Sequence, residues 1–267
     1  MYKVYFDLEA TGLSKWYDRI VEIGAVIYYN DKCISEFGEF IKCDRKMSAG
    51  AARKNGILEK QLVNARPTNK VLLDFFQWIR NTCTNKNAQT ILIAYNGFGY
   101  DLYMLFSSCH RWSIPIYLQL KSCKVTHVVD PLKWGKENLD TTKLERNEHG
   151  CSYSQPDIYK ALFGKSLKNA HRAVYDARGL SQICEHSKFN GLYDAINCND
   201  KKQCFSHIKT VDVILKEFNK GRQSIDKCIH KNNKNNMTTF RSSQEKIKRK
   251  KRKLLLLNQT KTSVKLK

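Results

Sequence analysis

The sequence lacks the features that mark membrane, secreted and disulfide-stapled proteins. No run approaches 18 consecutive apolar residues, and Leu254–Leu257 is far too short to span a bilayer. The N-terminus has no apolar segment followed by a small-residue cleavage site, which predicts a protein that is not secreted. Its ten cysteines are scattered without a CxxC pair, and we expect them to stay reduced. These absences predict a soluble protein of a reducing compartment.

Acidic residues are scarce in the last quarter of the chain. Of the formal net charge of +22, residues 201–267 hold +16, from 20 basic and 4 acidic residues, and residues 1–200 hold +6. We therefore expect one domain over residues 1–200, a further amphipathic helix over 201–220 and a basic, largely disordered tail over 221–267. The excess of positive charge favours a polyanionic partner, with nucleic acid foremost.

The hydrophobic pattern of the domain predicts an α/β fold. Apolar residues alternate along the first strand, and β-rich runs follow at 20–29 and 33–42 with a turn at Asn30-Asp31. A helical stripe covers residues 71–79, and a short buried strand at 90–95 precedes a helix from Tyr100. Further segments predict a strand at 127–129 and helices at 157–163 and 170–186. Strands followed by alternating helices and strands indicate a mixed sheet covered by helices.

Two acids stand in the first strand, which is otherwise apolar. Asp7 and Glu9 are two residues apart and therefore point to the same face. Two neighbouring carboxylates are costly to desolvate unless a cation lies between them. A solvent-facing strand surface is the alternative.

Three more residues are candidates for the same site. Asp101 opens a helix after a glycine-containing loop, where a carboxylate also serves as an ordinary N-terminal cap. His171 and Asp176 are five residues apart, too far around a helix to share a face. We expect His171 on the loop that leads into the helix, and Asp176 on the helix face directed at the sheet.

These residues lie in three motifs. The motifs are FDLEATGL at 6–13, AYNGFGYD at 94–101 and HRAVYDA at 171–177. Their order and separation resemble the DEDDh group of DnaQ-like 3′→5′ exonucleases, over residues 1–186 or so. The resemblance implies an RNase H-like, mixed five-stranded sheet flanked by helices.

Finer features are most similar to the three-prime repair exonuclease (TREX) branch. They are the EATGL ending of the first motif, the NGxxYD core of the second and the segment IYKALFG at 158–164. Ser14 stands where that branch often has proline, and the proline-rich insertion of some members is missing from a chain with 4 prolines. The resemblance implies a homodimer, although the sequence identifies no interface.

The resemblance also implies the chemistry. Two Mg²⁺ ions, with Mn²⁺ as a substitute, would be held by four carboxylates, and His171 would be the general base. Substrate contacts would come from the first two motifs and from His171, with Arg172 and Lys168 as candidate phosphate ligands or solvated cations. A loop leucine packed on the core is the alternative for Leu13. The metal ligands are Asp7, Glu9, Asp101 and Asp176, and the substrate-binding residues are Glu9, Ala10, Leu13, Tyr100 and His171.

The basic tail has two functional interpretations and a plain one. It is a nuclear localisation signal, a nucleic-acid tether or merely a solvated end. The first predicts a nuclear or nucleo-cytoplasmic protein. The residues concerned are Lys246, Lys248, Arg249, Lys250, Lys251, Arg252 and Lys253. Several cysteines and histidines near the C-terminus suggest a zinc site as a further alternative, but their spacings fit no standard zinc finger. These residues are Cys198, Cys204, His207, Cys228 and His230.

The sequence thus predicts a metal-dependent 3′→5′ exonuclease. The expected substrate is a single-stranded or frayed 3′ end of DNA, and the expected products are 5′-mononucleotides. RNA-end trimming and polymerase-associated proofreading keep the same fold. A catalytically silent nucleic-acid-binding module is a third alternative, but it gives no reason for a cluster of acids facing a polyanion.

Overall fold

The first strand sorts its side chains onto the two faces of a central sheet. The computed structural model describes residues 1–140, 142, 144–147, 150–196 and 205–227. In β1 (Tyr2–Ala10) the even-numbered residues lie in the larger hydrophobic core. Tyr5 lies in the core on the opposite face, and by strand alternation Asp7 and Glu9 point to that same face. The alternation read from the sequence therefore places both acids on one side of the sheet.

The strands that follow β1 are β2 (Ile20–Tyr29), β3 (Lys32–Lys42), β4 (Arg66–Pro67), β5 (Thr90–Ile93), β6 (Val125–Val129), β7 (Arg146–Asn147), β8 (Gly150–Cys151) and β9 (Ile208–Thr210). Seven of the described strands form a mixed sheet in the order β4-β3-β2-β1-β5-β6-β9. β1 pairs antiparallel with β2 and parallel with β5, and β5 pairs parallel with β6. The predicted α/β class and mixed sheet are confirmed, with two short edge strands, β4 and β9, beside five longer ones.

Helices cover both faces of this sheet. The larger core holds residues of α3, α4 and α9, and the smaller core holds residues of α7 and α8. None of the described helices is long and apolar enough to cross a membrane. The helices are α1 (Ala49–Asn55), α2 (Glu59–Val63), α3 (Thr68–Thr82), α4 (Asp101–Arg111), α5 (Ile116–Ser122), α6 (Pro131–Asn138), α7 (Gln155–Phe163), α8 (Ala173–Glu185) and α9, which includes residues 211–227.

The β2–β3 turn forms where the sequence predicts it. Asn30 and Asp31 both adopt positive φ, at 49° and 58°. Two such residues make the turn type whose twist matches that of an antiparallel hairpin, and Asn and Asp tolerate this conformation better than most residues. The turn sets the register of β3 against β2.

The C-terminal part of the described chain differs in detail from the predicted helix over 201–220. Residues 208–210 form β9, and α9 starts at 211. A first compact unit covers Met1–Phe218 and a second covers Asn219–Lys267. α9 includes residues 221–227, the start of the predicted low-order tail, where Arg222 pairs with Asp226 one turn later at 3.6 Å. Phe218 is buried in the larger core, as are Val211, Ile214 and Leu215.

Candidate active site

Asp7 and Glu9 lie on the C-terminal half of β1, on the face covered by α8. Asp7 is paired in register with Gly24 of β2, and Glu9 with Glu22. Both acids are half-buried, which is not the solvent-facing strand surface that was the alternative. Burial is the largest cause that raises the pKa of each, to about 8 for Glu9, and neighbouring carboxylates add to it.

Asp101 is the first residue of α4 and is only 5% exposed. Burial raises the pKa of its carboxyl group to about 7, although backbone amides, including that of Leu8 in β1, act in the opposite direction. The preceding loop is held by Asp130, whose carboxylate accepts the Phe98 amide at 3.1 Å. A buried acid that caps α6 thus positions the loop that delivers Asp101 to β1.

His171 and Asp176 lie at the start of α8, as the sequence predicts. His171 precedes the helix, with a positive φ of 69°, and its backbone amide donates to Asp176 Oδ2 at 2.7 Å. Asp176 is 7% exposed, and burial raises its pKa to about 6. Burial lowers the pKa of His171, and the nearby charge of Lys54 adds to that effect. Both effects favour the neutral form of the imidazole.

These side chains from three segments converge. Candidate ligand atoms of Glu9, His171 and Asp176 all lie within 4.8 Å of one another. Asp7 adjoins this group, because the charges of Asp101, Asp176 and Glu9 all raise its pKa. The structure therefore brings together the five residues predicted to be catalytic. Buried oxygen donors with raised pKa values suit a hard divalent cation, which removes their mutual repulsion.

The predicted substrate contacts lie at the rim of this cluster. Ala10 is the buried last residue of β1, and Leu13 is 91% exposed on the following loop. This excludes the alternative of Leu13 packed on the core. The Tyr100 hydroxyl donates to the Gly12 carbonyl, and Lys15 Nζ donates to the Gly99 carbonyl at 3.1 Å. The loops of the first and second motifs are therefore tied together beside Asp101.

The loop after β1 is shaped by Asp18, which sequence reasoning missed. Its carboxylate accepts the Thr11 hydroxyl at 3.0 Å and the Ser14 amide at 2.9 Å. A Cβ at Gly12 would lie 2.6 Å from Asp18 Oδ2, which is why glycine follows Thr11. The Thr-Gly pair was a usable signal for this turn, but the acid that holds it is not adjacent in sequence.

A second missed residue, Glu22, fixes the segment that carries His171. Glu22 is 5% exposed, and its carboxylate accepts three hydrogen bonds from Arg172, the shortest at 3.0 Å, and one from the Ala173 amide at 3.3 Å. Arg172 is therefore engaged with the protein rather than free to bind phosphate. Next to Glu22, a Cβ at Gly24 would lie 2.0 Å from the Val174 nitrogen, so only glycine allows α8 to approach β2 this closely.

Two groups of predicted residues lie wholly or mostly outside the described residues. The basic segment from Lys246 to Lys253 is one of them. Of the five residues considered for a zinc site, only His207 is described. The other four, Cys198, Cys204, Cys228 and His230, are also outside the described residues. The His207 ring is buried. Neither interpretation gains support from the described part of the chain.

The sheet order and the acid cluster at the end of β1 define an RNase H-like nuclease fold. A sequence profile of the RNase_T exonuclease family matches residues 4–184. The chain belongs to this family, and its fold and motifs are those of the DnaQ-like 3′→5′ exonucleases. The predicted family is therefore confirmed, whereas the TREX branch stays a prediction.

Curated proteins similar in sequence to this chain include PolC-type DNA polymerases. The PolC-type DNA polymerase III of Streptococcus pneumoniae is 29% identical over 180 residues, which are 67% of this chain and 11% of the polymerase. That of Staphylococcus aureus is 26% identical over the same shares. The chain thus spans about a tenth of the length of these curated relatives.

Solved structures of Escherichia coli exonuclease I share the fold. The complex with a dT13 oligonucleotide superposes with a TM-score of 0.60 at 16% identity, over 73% of this chain and 42% of that one. A zinc-bound complex with single-stranded DNA gives 0.61 at 17% identity, over 73% and 42%. At this identity the likeness concerns the fold alone.

Proposed function

We propose that the protein is a metal-dependent 3′→5′ exonuclease that hydrolyses phosphodiester bonds at DNA 3′ ends and releases 5′-mononucleotides. The observation that carries the proposal is the convergence of four acids and one histidine at the end of β1. A binding module has no use for such a cluster, because acids repel a polyanion. In a hydrolase each of the five residues would have a role, because the carboxylates would bind metal ions and the histidine would act as general base.

Four carboxylates fit a pair of divalent cations. Asp7, Glu9 and Asp176 would hold one ion and Asp7 and Asp101 the other, with Mg²⁺ as the natural ion and Mn²⁺ as a substitute. When bound, such ions lower the pKa of a water molecule and neutralise phosphoryl oxygens. The raised pKa values of these acids support this assignment, because burial and mutual repulsion disfavour their charged forms and a bound cation would offset both effects.

His171 would accept the proton from the attacking water. A general base must be unprotonated at working pH, and burial keeps the pKa of His171 below its ordinary value of 6.5. Two contacts orient it. Asp176 accepts its backbone amide, and the Glu22–Arg172 pair holds the next residue against β2.

The 3′-terminal nucleotide would bind between the loops of the first two motifs. Leu13 is exposed beside the cluster and would insert between the last two bases, an apolar contact that every base accepts. Tyr100 and the backbone of Glu9 and Ala10 would line the same groove. DNA is the favoured substrate because the structural neighbours were solved with DNA oligonucleotides.

One alternative function has an observation of its own. The sequence relatives are PolC-type polymerases, which favours a proofreading role for this chain beside a polymerase. RNA-end trimming uses the same site and is separated from DNA hydrolysis by substrate choice. A silent binding module would retain nucleic acid without cutting it.

The test uses 5′-labelled single-stranded DNA with Mg²⁺. The proposal predicts a ladder that shortens from the 3′ end and is lost with EDTA and in His171→Ala. Retardation of the DNA without shortening, in Mg²⁺ and Mn²⁺ alike, would support the silent module and contradict the proposal. Faster shortening of a matched RNA would reassign the substrate, and preference for a mismatched primer end would favour proofreading.

The roles of the tail and of oligomerisation are proposed separately. The basic segment around Lys250 would act as a nuclear signal or a nucleic-acid tether, and a homodimer would follow from the TREX branch. Deleting residues 246–267 from a fluorescent fusion should abolish nuclear accumulation if the segment is a signal, and unchanged accumulation would contradict that role. Light scattering of the purified chain measures the oligomeric state directly.

A further inference from the structure

The loop between β1 and β2 presents Leu13 to the solvent. Because Leu13 is 91% exposed, its position depends on the backbone of residues 11–18 rather than on packing of its own side chain. A side chain that separates two stacked bases must be held in place, because ordering a mobile loop on binding costs conformational entropy. The contacts that fix this loop therefore affect how well a 3′ end binds.

Trp16, three residues beyond Leu13, is held by two helices. From α4, the Arg111 guanidinium donates to the Trp16 carbonyl at 2.8 Å, and the Tyr103 ring lies 5.9 Å from the indole between ring centroids. From α9, the Phe218 ring stacks on the indole with centroids 5.3 Å apart and an interplanar angle of 23°. The second half of the loop is thus fixed by one hydrogen bond and by aromatic contacts.

Phe218 is itself held firmly in the larger core. It is 2% exposed, and its ring meets that of Phe106 in α4 edge-to-face at 5.5 Å. Lys209 of β9 donates to Glu217 of α9 at 2.6 Å, and β9 pairs with β6, so this part of α9 is joined to the sheet. Both β9 and α9 lie beyond residue 184, where the match to the exonuclease family ends. The contact with Trp16 is therefore supplied by a part of this chain that the family pattern does not cover.

We propose that Phe218 is a positioning residue, which acts through Trp16 to hold the loop so that Leu13 inserts between the last two bases of the 3′ end. This inference rests on the proposed exonuclease function and adds a part of the C-terminal segment to the substrate site. Asp18 and Tyr100 fix the first half of the same loop. The contact of Phe218 fixes the second half, so that the loop is ordered before DNA binds. Packing of Phe218 for stability alone is the competing role.

Kinetics on two substrates test this proposal. One is a single-stranded oligothymidylate, and the other is the p-nitrophenyl ester of thymidine 5′-phosphate, whose single base gives Leu13 no pair of bases to separate. In Phe218→Leu, KM for the oligonucleotide should rise about 5-fold with kcat within about twofold, the size expected for loss of one aromatic pair. The ratio of kcat/KM on DNA to kcat/KM on the ester should fall by the same factor. Trp16→Leu should lower the ratio in the same way, whereas Trp16→Phe should keep it within about twofold because it retains a ring.

The matched control is Phe76→Leu, the same change at a buried ring of the same core, which packs against Phe75 of α3. It should lower the melting temperature as Phe218→Leu does but leave the ratio of the two substrates unchanged. Equal ratios in Phe218→Leu and Phe76→Leu would overturn the proposal. A further 5-fold loss from Phe218→Leu in the Leu13→Ala background would also overturn it, since that loop has no side chain left to position. The proposed function fails separately, if the wild-type protein cleaves neither substrate.

Discussion

The two ends of the contact between β1 and α8 differ in whether their charged side chains form ion pairs. Near the start of β1, Lys3 Nζ lies 2.8 Å from Glu185 Oε1, and the Tyr5 hydroxyl also donates to Glu185. Four residues further along the same strand face, Asp7 and Glu9 meet Asp176 with no ion pair among the described residues. At the first end the charged groups form ion pairs, whereas at the second end no ion pair joins these acids to a described residue.

This difference separates a structural charge from a functional one. A buried carboxylate that serves stability is paired where it lies, because an unpaired one destabilises the fold. The charged forms of the acids around Asp7 are destabilised in this way, and the pKa values of these acids are raised accordingly. Such a cluster is stabilised by what binds to it. The comparison therefore predicts opposite responses to mutation at the two ends.

The largest expected effect is on turnover at the unpaired end. His171→Ala and Asp176→Asn should each lower kcat by about 10³-fold, since one removes the proposed general base and the other a proposed metal ligand. Asp176→Asn should leave the thermal stability of the metal-free protein unchanged or higher, because it removes a like charge. Initial rates on labelled DNA and thermal unfolding in EDTA measure both. A marked drop in the melting temperature of Asp176→Asn would contradict the view that the acids of this cluster do not stabilise the fold.

The next effect concerns the residue that positions His171. Glu22→Gln should lower kcat by about 10- to 100-fold with little change in KM, since the arginine loses its charged partner and the histidine its fixed place. Glu36→Gln is the matched control, because Glu36 pairs with Arg178 of the same helix at a more exposed position. Its activity should stay within about twofold of the parent. Equal rates for Glu22→Gln and Glu36→Gln would contradict the positioning role of Glu22.

At the neutralised end the expected effect is on stability. Glu185→Gln should lower the free energy of unfolding by about 1–2 kcal/mol, because Lys3 loses its partner in a largely buried place. Asp31→Asn is the control, since Asp31 also reaches Lys3, at 3.4 Å, but is mostly exposed and should matter by less than about 0.5 kcal/mol. Urea unfolding measures both, and exonuclease rates should be those of the parent. A loss of activity in Glu185→Gln would contradict the separation of roles.

The smallest effect is the pH dependence of metal-free stability. The acids of the cluster have pKa values raised above their ordinary ones, to about 8 for Glu9 and about 7 for Asp101, so the folded protein binds protons more tightly than the unfolded chain. Stability from these groups is present at low pH and is lost as pH rises from about 4 to about 8. Mg²⁺ should therefore raise the melting temperature more at pH 8 than at pH 5, by about 2–5 °C. An equal rise at both pH values in a thermal scan would contradict this.

Local pattern was sufficient for much of the fold. Alternation predicted β1 and the bounds of β2, and the helical stripe predicted α3 (Thr68–Thr82). The short helices α1, α2 and α5 were missed, because five to seven residues hold too little periodicity to indicate a helix. Their formation depends on the packing of neighbouring elements.

The site shows the same division. The five catalytic candidates were found from their motifs, and the structure brings them together. Glu22 and Asp18 were missed, because no motif or regular spacing links either acid to the groups that it holds. No spacing pattern connects Glu22 to Arg172, which is 150 residues away.

The sequence by itself determined which face of β1 carries the acids, since strand alternation allows no other placement. It also determined the order of the three motifs and the excess of positive charge near the C-terminus. Only the tertiary structure decided that Lys3 pairs with Glu185, while Asp7 forms no ion pair with any residue that the structure describes. That outcome depends on where α8 packs against β1 and β2. The position of the helix is set by close contacts such as the one at Gly24, and these contacts exist only once the chain is folded.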